Sequence, residues 1–346
     1  MAFYTQSIPK EVLEKFRQYI EQAQNIILVS HTNPDGDALG SSLGLWHYLN
    51  LRGKTTNVIV PNRFPGFLKW LPGLDRIVIY EQDERKCAQL FKEADLVICL
   101  DFNAFHRVER LEKYLVGFRK PVLLIDHHLE PDVTFDSSIS YTDSSSTSEL
   151  VFDLIEGLGD KELINLDIAK CLYVGIMTDT GSFSYSCKHS RPFNITGFLV
   201  EKGLDVQSVN VLVYSTQSED RLRLLGHLLS KRMVVMSEYN TAYIWLSLSD
   251  QEKFNYRPGD AEGFVNYALT IEGIKLAAFF TEKKDVVRIS LRSKGDFSVN
   301  DMARRHFEGG GHRNAAGGNS FLSLRGTILR FRKIVEVYEK FLSNSI

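Results

Sequence analysis

Acidic and imidazole side chains recur in this chain at the ends of apolar runs. The segment His31-Thr32-Asn33-Pro34-Asp35-Gly36-Asp37 directly follows Ile26-Ile27-Leu28-Val29 and a serine. Asp101 follows Leu96 to Leu100, Asp126-His127-His128 follows Val122 to Ile125, and Asp179 stands where a helical pattern ends. Carboxylate and imidazole groups ligate divalent metals, and mixed Asp/His ligation suits Mn2+ better than Mg2+ or Ca2+. Four aspartates gathered without counter-charge repel strongly, since two unit charges about 4 Å apart oppose each other by about 4 kcal/mol at an effective dielectric near 20. Two divalent cations would balance them, and paired ions activate water for attack on phosphoesters. Each residue alone has a blander reading: Asp37 as a helix N-cap, Pro34-Asp35-Gly36 as a turn, Asp101 and Asp179 as loop residues. The joint pattern, with acidic groups at the ends of separate apolar elements, favours a metal centre.

A second group of residues suits phosphate. Gly309-Gly310-Gly311-His312 lets the backbone approach a ligand closely and turn its N–H groups toward an anion. Arg288 and Arg292 stand four apart in a strand pattern and so share a face. Arg292-Ser293 offers a guanidinium fork and a hydroxyl. From the residues alone, a tight turn and solvated arginines account for the same pattern. His47, His106, His189, His227 and His306 fall in neither group and read as structural or surface residues.

The elements that must position these groups are those of an α/β chain. Short apolar runs at 26–29, 58–60, 77–79, 96–100 and 122–125 alternate with helical patterns. That spacing predicts a mostly parallel sheet with helices on both faces, where ligands bind at the carboxyl ends of strands. Helices are expected from Pro9 to about Gln24, Ala38 to Leu51, Ser146 (a capping-box pattern with Glu149) to Gly157, and Leu166 to Met177. The pattern changes after about residue 200. A helical connector is expected over 201–230. Strand pairs at 233–236 with 242–248 and at 277–280 with 286–291, then a helix over 327–342, predict a smaller α+β domain.

Composition narrows the function. The 346 residues carry 41 basic and 43 acidic side chains, a net charge of −2, which disfavours coating long nucleic acid. No apolar run approaches the ~18 residues of a spanning helix, and no signal peptide is evident. Four cysteines without a CxxC pair read as reduced thiols, so a cytoplasmic location is expected, with no membrane partner.

The motifs are together similar to those of the DHH phosphoesterase superfamily. Asp126-His127-His128 resembles the motif that names it, His31-x-x-x-Asp35-x-Asp37 its first motif, Asp101-Phe102-Asn103 its second, and Gly175 to Gly181 its fourth. Gly309 to Gly317 resembles the signature of the accompanying DHHA1 domain. The nearest subgroup is the nanoRNase and 3′-phosphoadenosine-5′-phosphate phosphatase type. The resemblance implies a catalytic metal-binding domain over 1–200, a DHHA1 substrate domain over 231–346, and an active site in the cleft between them. It implies that His31 and Asp35 bind one Mn2+, that Asp37, His127 and Asp179 bind another, and that Asp101 bridges both. His128 would contact the scissile phosphate, with Asp126 orienting the neighbouring histidines. Arg292, Ser293, Gly309, Gly310, Gly311 and His312 would hold the nucleotide end. Glu308 stands where many relatives carry another glycine, which bears on the backbone at the loop entrance.

The expectation is therefore a Mn2+-dependent phosphoesterase for short oligoribonucleotides or small nucleotides, including pAp, pApA and cyclic di-AMP. It would act through water activated between two metals, and the subgroup makes a homodimer plausible. An exopolyphosphatase or pyrophosphatase is an alternative that the metal motifs permit, although pyrophosphatase relatives carry a different second domain. A non-catalytic nucleotide sensor would usually have lost a ligand, and every ligand position is filled here. A long-substrate nuclease is disfavoured by length and charge.

Overall fold

The computed structural model describes residues 8–343 except 129, 130, 132–134, 185, 188 and 312. The chain divides into two compact units, Met1–Thr216 and Gln217–Ile346. The span expected as a connector is shared between them. The helices Arg191–Glu201 and Val206–Tyr214 close the first unit, and Glu219–Lys231 opens the second.

In the first unit, six strands form one parallel sheet: β1 (Asn25–Ser30), β2 (Thr55–Val60), β3 (Val78–Ile79), β4 (Leu96–Leu100), β5 (Val122–Asp126) and β6 (Ser137–Ser140). Their order is β3-β2-β1-β4-β5-β6. Alternate residues of each strand serve opposite faces. Ile26, Leu28, Ile98 and Leu123 pack with the helices Gly36–Leu51, Thr147–Gly157 and Leu166–Asp179. Ile27, Val29, Val97 and Leu124 pack with Cys87, Phe91 and Leu115 on the other side. Burial on both faces is why the central strands read as unbroken apolar runs. β6 was not expected from the sequence. Its Ser-Ser-Ile-Ser composition offers one apolar side chain, Ile139, and it joins the sheet as an edge strand opposite Ile125.

The sheet register creates a row of chemistry. Ser30 lies opposite Leu100, and Leu100 lies opposite Ile125. His31, Asp101 and Asp126 therefore emerge side by side at the carboxyl ends of three adjacent strands. The strand order reverses between β1 and β4, the place where open α/β sheets bind ligands.

The second unit holds β7 (Met233–Met236), β8 (Thr241–Leu246), β9 (Leu276–Glu282), β10 (Val287–Ser293), β11 (Gly310–Gly311) and β12 (Ala315–Ser320), ordered β11-β12-β10-β9-β8-β7. All neighbours are antiparallel except β8 and β9. Phe280, Ile289 and Leu291 pack with Met302, Phe307 and Phe331 on one face; Ile244 and Phe279 pack with Leu228 and Phe264 on the other. The expected final helix runs over Leu324–Val337 and continues as Glu339–Ser343.

Candidate metal centre and glycine loop

The strand-end residues converge with two helix residues. His31, Asp35 and Asp101 offer ligand atoms within 4.8 Å of one another, as do Asp37, His127 and Asp179; Asp101, His127 and His128 form a third such group. Asp101 faces both sides. Its Oδ2 lies 3.4 Å from His31 Nε2, while its Oδ1 lies 3.5 Å from His127 Nε2 and 3.8 Å from His128 Nδ1. His127 Nε2 also lies 3.4 Å from Asp179 Oδ2 and 3.8 Å from Asp37 Oδ2. His31, Asp37, Asp101, Asp126, His127 and His128 are buried, whereas Asp35 and Asp179 are partly exposed.

Local structure explains each placement. Asp101 is the first residue beyond β4 and adopts φ +66°, a left-handed conformation that Asp tolerates better than most residues and that recurs at functional sites. The helix expected from Ala38 begins at Gly36, with Asp35 as its N-cap: Asp35 Oδ1 accepts from the N–H groups of Asp37 (3.0 Å) and Ala38 (3.1 Å). Asp37 thus lies inside the first turn and is free to face the centre. Its two carboxylate oxygens accept from the backbone N–H groups of Thr147 (2.6 Å) and Ser148 (2.9 Å). Those groups are the N-terminus of the helix Thr147–Gly157, where unsatisfied donors and the helix dipole favour an anion. The Thr147 hydroxyl donates to Asp101 Oδ1 at 2.9 Å, so one residue holds two acids.

Asp179, the last residue of its helix, is brought in by close helix packing. A Cβ added at Gly40 would lie 2.5 Å from the Cys171 carbonyl oxygen and 2.8 Å from the Gly175 nitrogen. One added at Gly175 would lie 1.9 Å from Ser148 Oγ and 2.6 Å from Asp37 Oδ1. The helices Gly36–Leu51 and Leu166–Asp179 therefore touch backbone to backbone.

Outer contacts set the imidazoles. His31 Nδ1 faces the Thr32 carbonyl at 2.8 Å and His127 Nδ1 faces that of Ser144 at 3.3 Å. With Nδ1 held there, each Nε2 is turned toward the carboxylates, where it carries a proton shared with them in the absence of metal and would offer its lone pair to a cation that displaced that proton. Asp126 Oδ1 lies 2.7 Å from His128 Nδ1, so Asp126 orients one neighbouring histidine and a backbone carbonyl serves the other. The resemblance had assigned both to Asp126.

Crowding redistributes protons. Burial, reinforced by the charges of Asp101 and Asp179, pushes Asp37 well above the usual carboxylate range. Burial also raises Asp179 to about 6, against the pull of His127 and with help from Asp35 and Asp101. Asp101 goes the other way: burial raises it, but the hydrogen bonds of His127 and His31 outweigh burial and hold it well below its ordinary value. For His127 burial opposes charge, yet Asp179, Asp101 and Asp37 outweigh it and push the imidazole well above its ordinary value. Buried carboxylates interleaved with imidazoles, holding protons that a cation would displace, are a donor set that fits divalent metal.

In the second unit, Arg288, Ser290 and Arg292 occupy one face of β10, the less buried one. Ser293 does not join them. It lies on the opposite, buried face, where its hydroxyl donates to the Phe297 carbonyl (2.6 Å) and accepts from Asn314 Nδ2 (2.9 Å). Arg292 donates to the Leu291 carbonyl at 3.0 Å. Gly310 and Gly311 pair with Gly317 and Ala316, and the Gly311 N–H donates to Asn300 Oδ1 at 2.9 Å. A Cβ at Gly309 would lie 1.9 Å from the Gly317 carbonyl oxygen, so close strand approach requires glycine there. Glu308 has φ +45°, the conformation a glycine would adopt without strain. His312 lies outside the described residues.

Sequence reasoning missed Thr147 and Ser148. The serine-rich run was read as a helix cap, which Ser146 is: its hydroxyl accepts the Glu149 N–H. The Glu149 carboxylate, however, accepts from Ser145 rather than closing a reciprocal box. The signal for the missed pair was a capped helix N-terminus of small residues near a carboxylate-rich edge. The signal for the close packing was the four-residue spacing of Gly36, Gly40 and Gly44.

Residues 25–176 match the DHH family, N-terminal domain, and residues 238–344 match the DHHA1 domain. The chain is 30% identical, over 90% of its length, to a probable bifunctional oligoribonuclease and PAP phosphatase of Streptococcus mutans, and covers 93% of that protein. It is 28% identical, over 86% of its length, to the bifunctional oligoribonuclease and PAP phosphatase of Bacillus subtilis, covering 89% of it. The crystal structure of an exopolyphosphatase-related protein from Bacteroides fragilis matches with a TM-score of 0.93 and 42% identity, over 98% of this chain and 100% of that one. With both family domains matched in order and relatives covered over most of their length, the chain belongs to the DHH/DHHA1 phosphoesterase superfamily.

Proposed function

We propose that this protein is a Mn2+-dependent hydrolase of short oligoribonucleotides and small phosphorylated nucleotides such as pAp, pApA and cyclic di-AMP. The observation that carries the reading is the pair of ligand groups, His31/Asp35/Asp101 and Asp37/His127/Asp179, with Asp101 turned toward both histidines. Two divalent ions held there would supply Lewis acidity to the phosphate and lower the pKa of water. The chain's own residues do the rest. Thr147 and Ser148 fix Asp37, and Thr147 fixes Asp101, before substrate arrives. His128, held by Asp126, faces the centre and stabilises charge on the phosphate. Arg292 and the loop from Gly309 to His312 hold the nucleotide end, and Ser293 supports that loop from behind through Asn314.

Among the described residues no helix is long and apolar enough to cross a membrane, and Cys87, Cys99 and Cys171 are buried free thiols; both support action in the cytoplasm. The names of the Streptococcus and Bacillus relatives support nucleotide substrates, and that of the Bacteroides neighbour favours polyphosphate as a second reading. One panel separates them: kcat/KM with Mn2+ for pAp, pApA, cyclic di-AMP, pyrophosphate, polyphosphate and a ladder of RNAs from two to about 24 residues. The expected maximum is at nucleotides of about two to five residues, because the net charge of −2 leaves few phosphate contacts for longer strands. A maximum at polyphosphate, or equal rates along the ladder, would replace the proposal.

A further inference from the structure

One cation beside the metal centre is not accounted for by the structure around it. Arg107 lies six residues beyond Asp101, in the helical turn Phe105–Leu111. Its carbonyl accepts the Thr32 N–H at 2.9 Å, which ties it to the segment that carries His31. Its Nε is buried without a hydrogen-bond partner, and its side chain makes no ion pair among the described residues. An arginine whose Nε is buried without a partner has lost hydration that nothing in the folded chain replaces. Arg107 pairs with none of the described carboxylates. Divalent ions in the ligand groups would add further positive charge beside the guanidinium. Cations converging from two directions are stable together when an anion lies among them.

We infer that Arg107 is a substrate-contacting residue: its guanidinium fork binds the non-bridging oxygens of the phosphate presented to the metal centre. The inference rests on the phosphoesterase reading above and adds a residue that lies outside the metal-ligand motifs. Arginine suits the task because its planar donors match two phosphate oxygens, whereas lysine offers a point charge. As a contact to the reacting group, it acts on kcat as well as KM.

The test compares wild type with Arg107→Ala and Arg107→Lys, using pAp and a dinucleotide as substrates, with Mn2+ content and melting temperature measured on each protein. The expected result is a loss in kcat/KM of about 10- to 100-fold for Arg107→Ala, the size of a charge-assisted pair of hydrogen bonds. Arg107→Lys should recover part of it, and added guanidinium ion should partly rescue Arg107→Ala. Metal content should match wild type throughout. Activity of Arg107→Ala within twofold of wild type overturns the inference. So does loss of bound Mn2+ in both variants, which would make Arg107 a support for the His31 segment. If wild type cleaves no phosphoester, the phosphoesterase reading falls and this inference with it, a result distinct from an active wild type with indifferent variants.

Discussion

The two units handle charge in opposite ways. In the first, three of the four acids that converge are fixed by hydrogen bonds on the protein side. Asp37 is held at both oxygens, Asp101 by Thr147, and Asp35 by the helix it caps. In the second, the candidate clamp uses the more open face of a sheet strand and a glycine hairpin, and Arg292 donates to the local Leu291 carbonyl. Ligands for a metal need placement to fractions of an ångström, and these acids stand on packed helices and central strands. Recognition of a flexible phosphorylated ligand tolerates adjustable partners. Mutations of the converging acids in the first unit should therefore damage rate and metal content together, and those on the open face of the second should act on KM alone.

The largest effect tests the shared ligand. Asp101→Ala removes the carboxylate that, among the described residues, faces both His31 and His127. Activity should fall at least about 10³-fold, in line with loss of a principal electrostatic contribution. Mn2+ bound per chain, measured by elemental analysis, should fall as well, while the far-UV spectrum stays native. Near-normal turnover would dissolve the contrast between the units.

Gly175→Ala is a subtler blow to the same unit. The new methyl would meet Asp37 Oδ1 at 2.6 Å, and Ser148 Oγ would have to rotate away. Overpacking of this kind destabilises by about 1–3 kcal/mol. Because Asp37 is pinned from the other side, its carboxylate cannot retreat freely. A drop of roughly 10²-fold in kcat/KM with weakened Mn2+ binding is expected. A loss of melting temperature with metal affinity unchanged would show that the glycine serves packing alone.

Much of this was legible in the residues, and the failures have physical causes. Apolar runs marked β1, β4 and β5 because those strands are buried on both faces. β6 escaped because an edge strand needs only one apolar contact. His31, Asp35, Asp37, Asp101, His127 and Asp179 were visible as acids and imidazoles at element ends, and the structure brings all six together. Thr147 was invisible because its role comes from a backbone N–H and a hydroxyl, which carry no sequence period. Ser293 was placed with Arg292 by adjacency, although adjacent strand residues face opposite sides. The glycines of the loop were legible as a close approach, but Gly309 and Gly311 approach β12 and Gly310 approaches Asn300 and Arg304 of the helix Val299–His306, rather than open space.

Proton competition gives an intermediate effect confined to the first unit. Asp179 lies near 6 and Asp37 above its usual range when no metal is bound. A metal ligand must be deprotonated, so below about pH 6 Asp179 holds a proton that a cation has to displace, and Asp37 adds to that competition. Affinity for Mn2+ should therefore rise with pH, by about fourfold between pH 5.5 and 7.5 from Asp179 and further from Asp37, since one displaced proton changes the constant by at most about tenfold per pH unit below the pKa. Calorimetry in two buffers of different ionisation enthalpy would read the released protons directly. Release of none would mean that the acids are already ionised in the metal-free protein.

The smallest effect tests the second unit against its own sequence pattern. Arg292 and Ser293 are neighbours in sequence but serve opposite faces of β10. Arg292→Ala should raise KM for nucleotides about tenfold or more, as expected when a charge-assisted contact to phosphate is lost. Ser293→Ala removes a buried hydroxyl that joins Phe297 and Asn314 behind the loop. Leaving Asn314 and the Phe297 carbonyl without that partner destabilises by about 1–3 kcal/mol. The melting temperature should fall by a few degrees, while KM for pAp stays within twofold and Mn2+ content is unchanged. Steady-state kinetics and calorimetric melting of the two variants side by side decide the matter. A Ser293→Ala variant with native stability and a KM raised as far as that of Arg292→Ala would place the hydroxyl on the ligand after all.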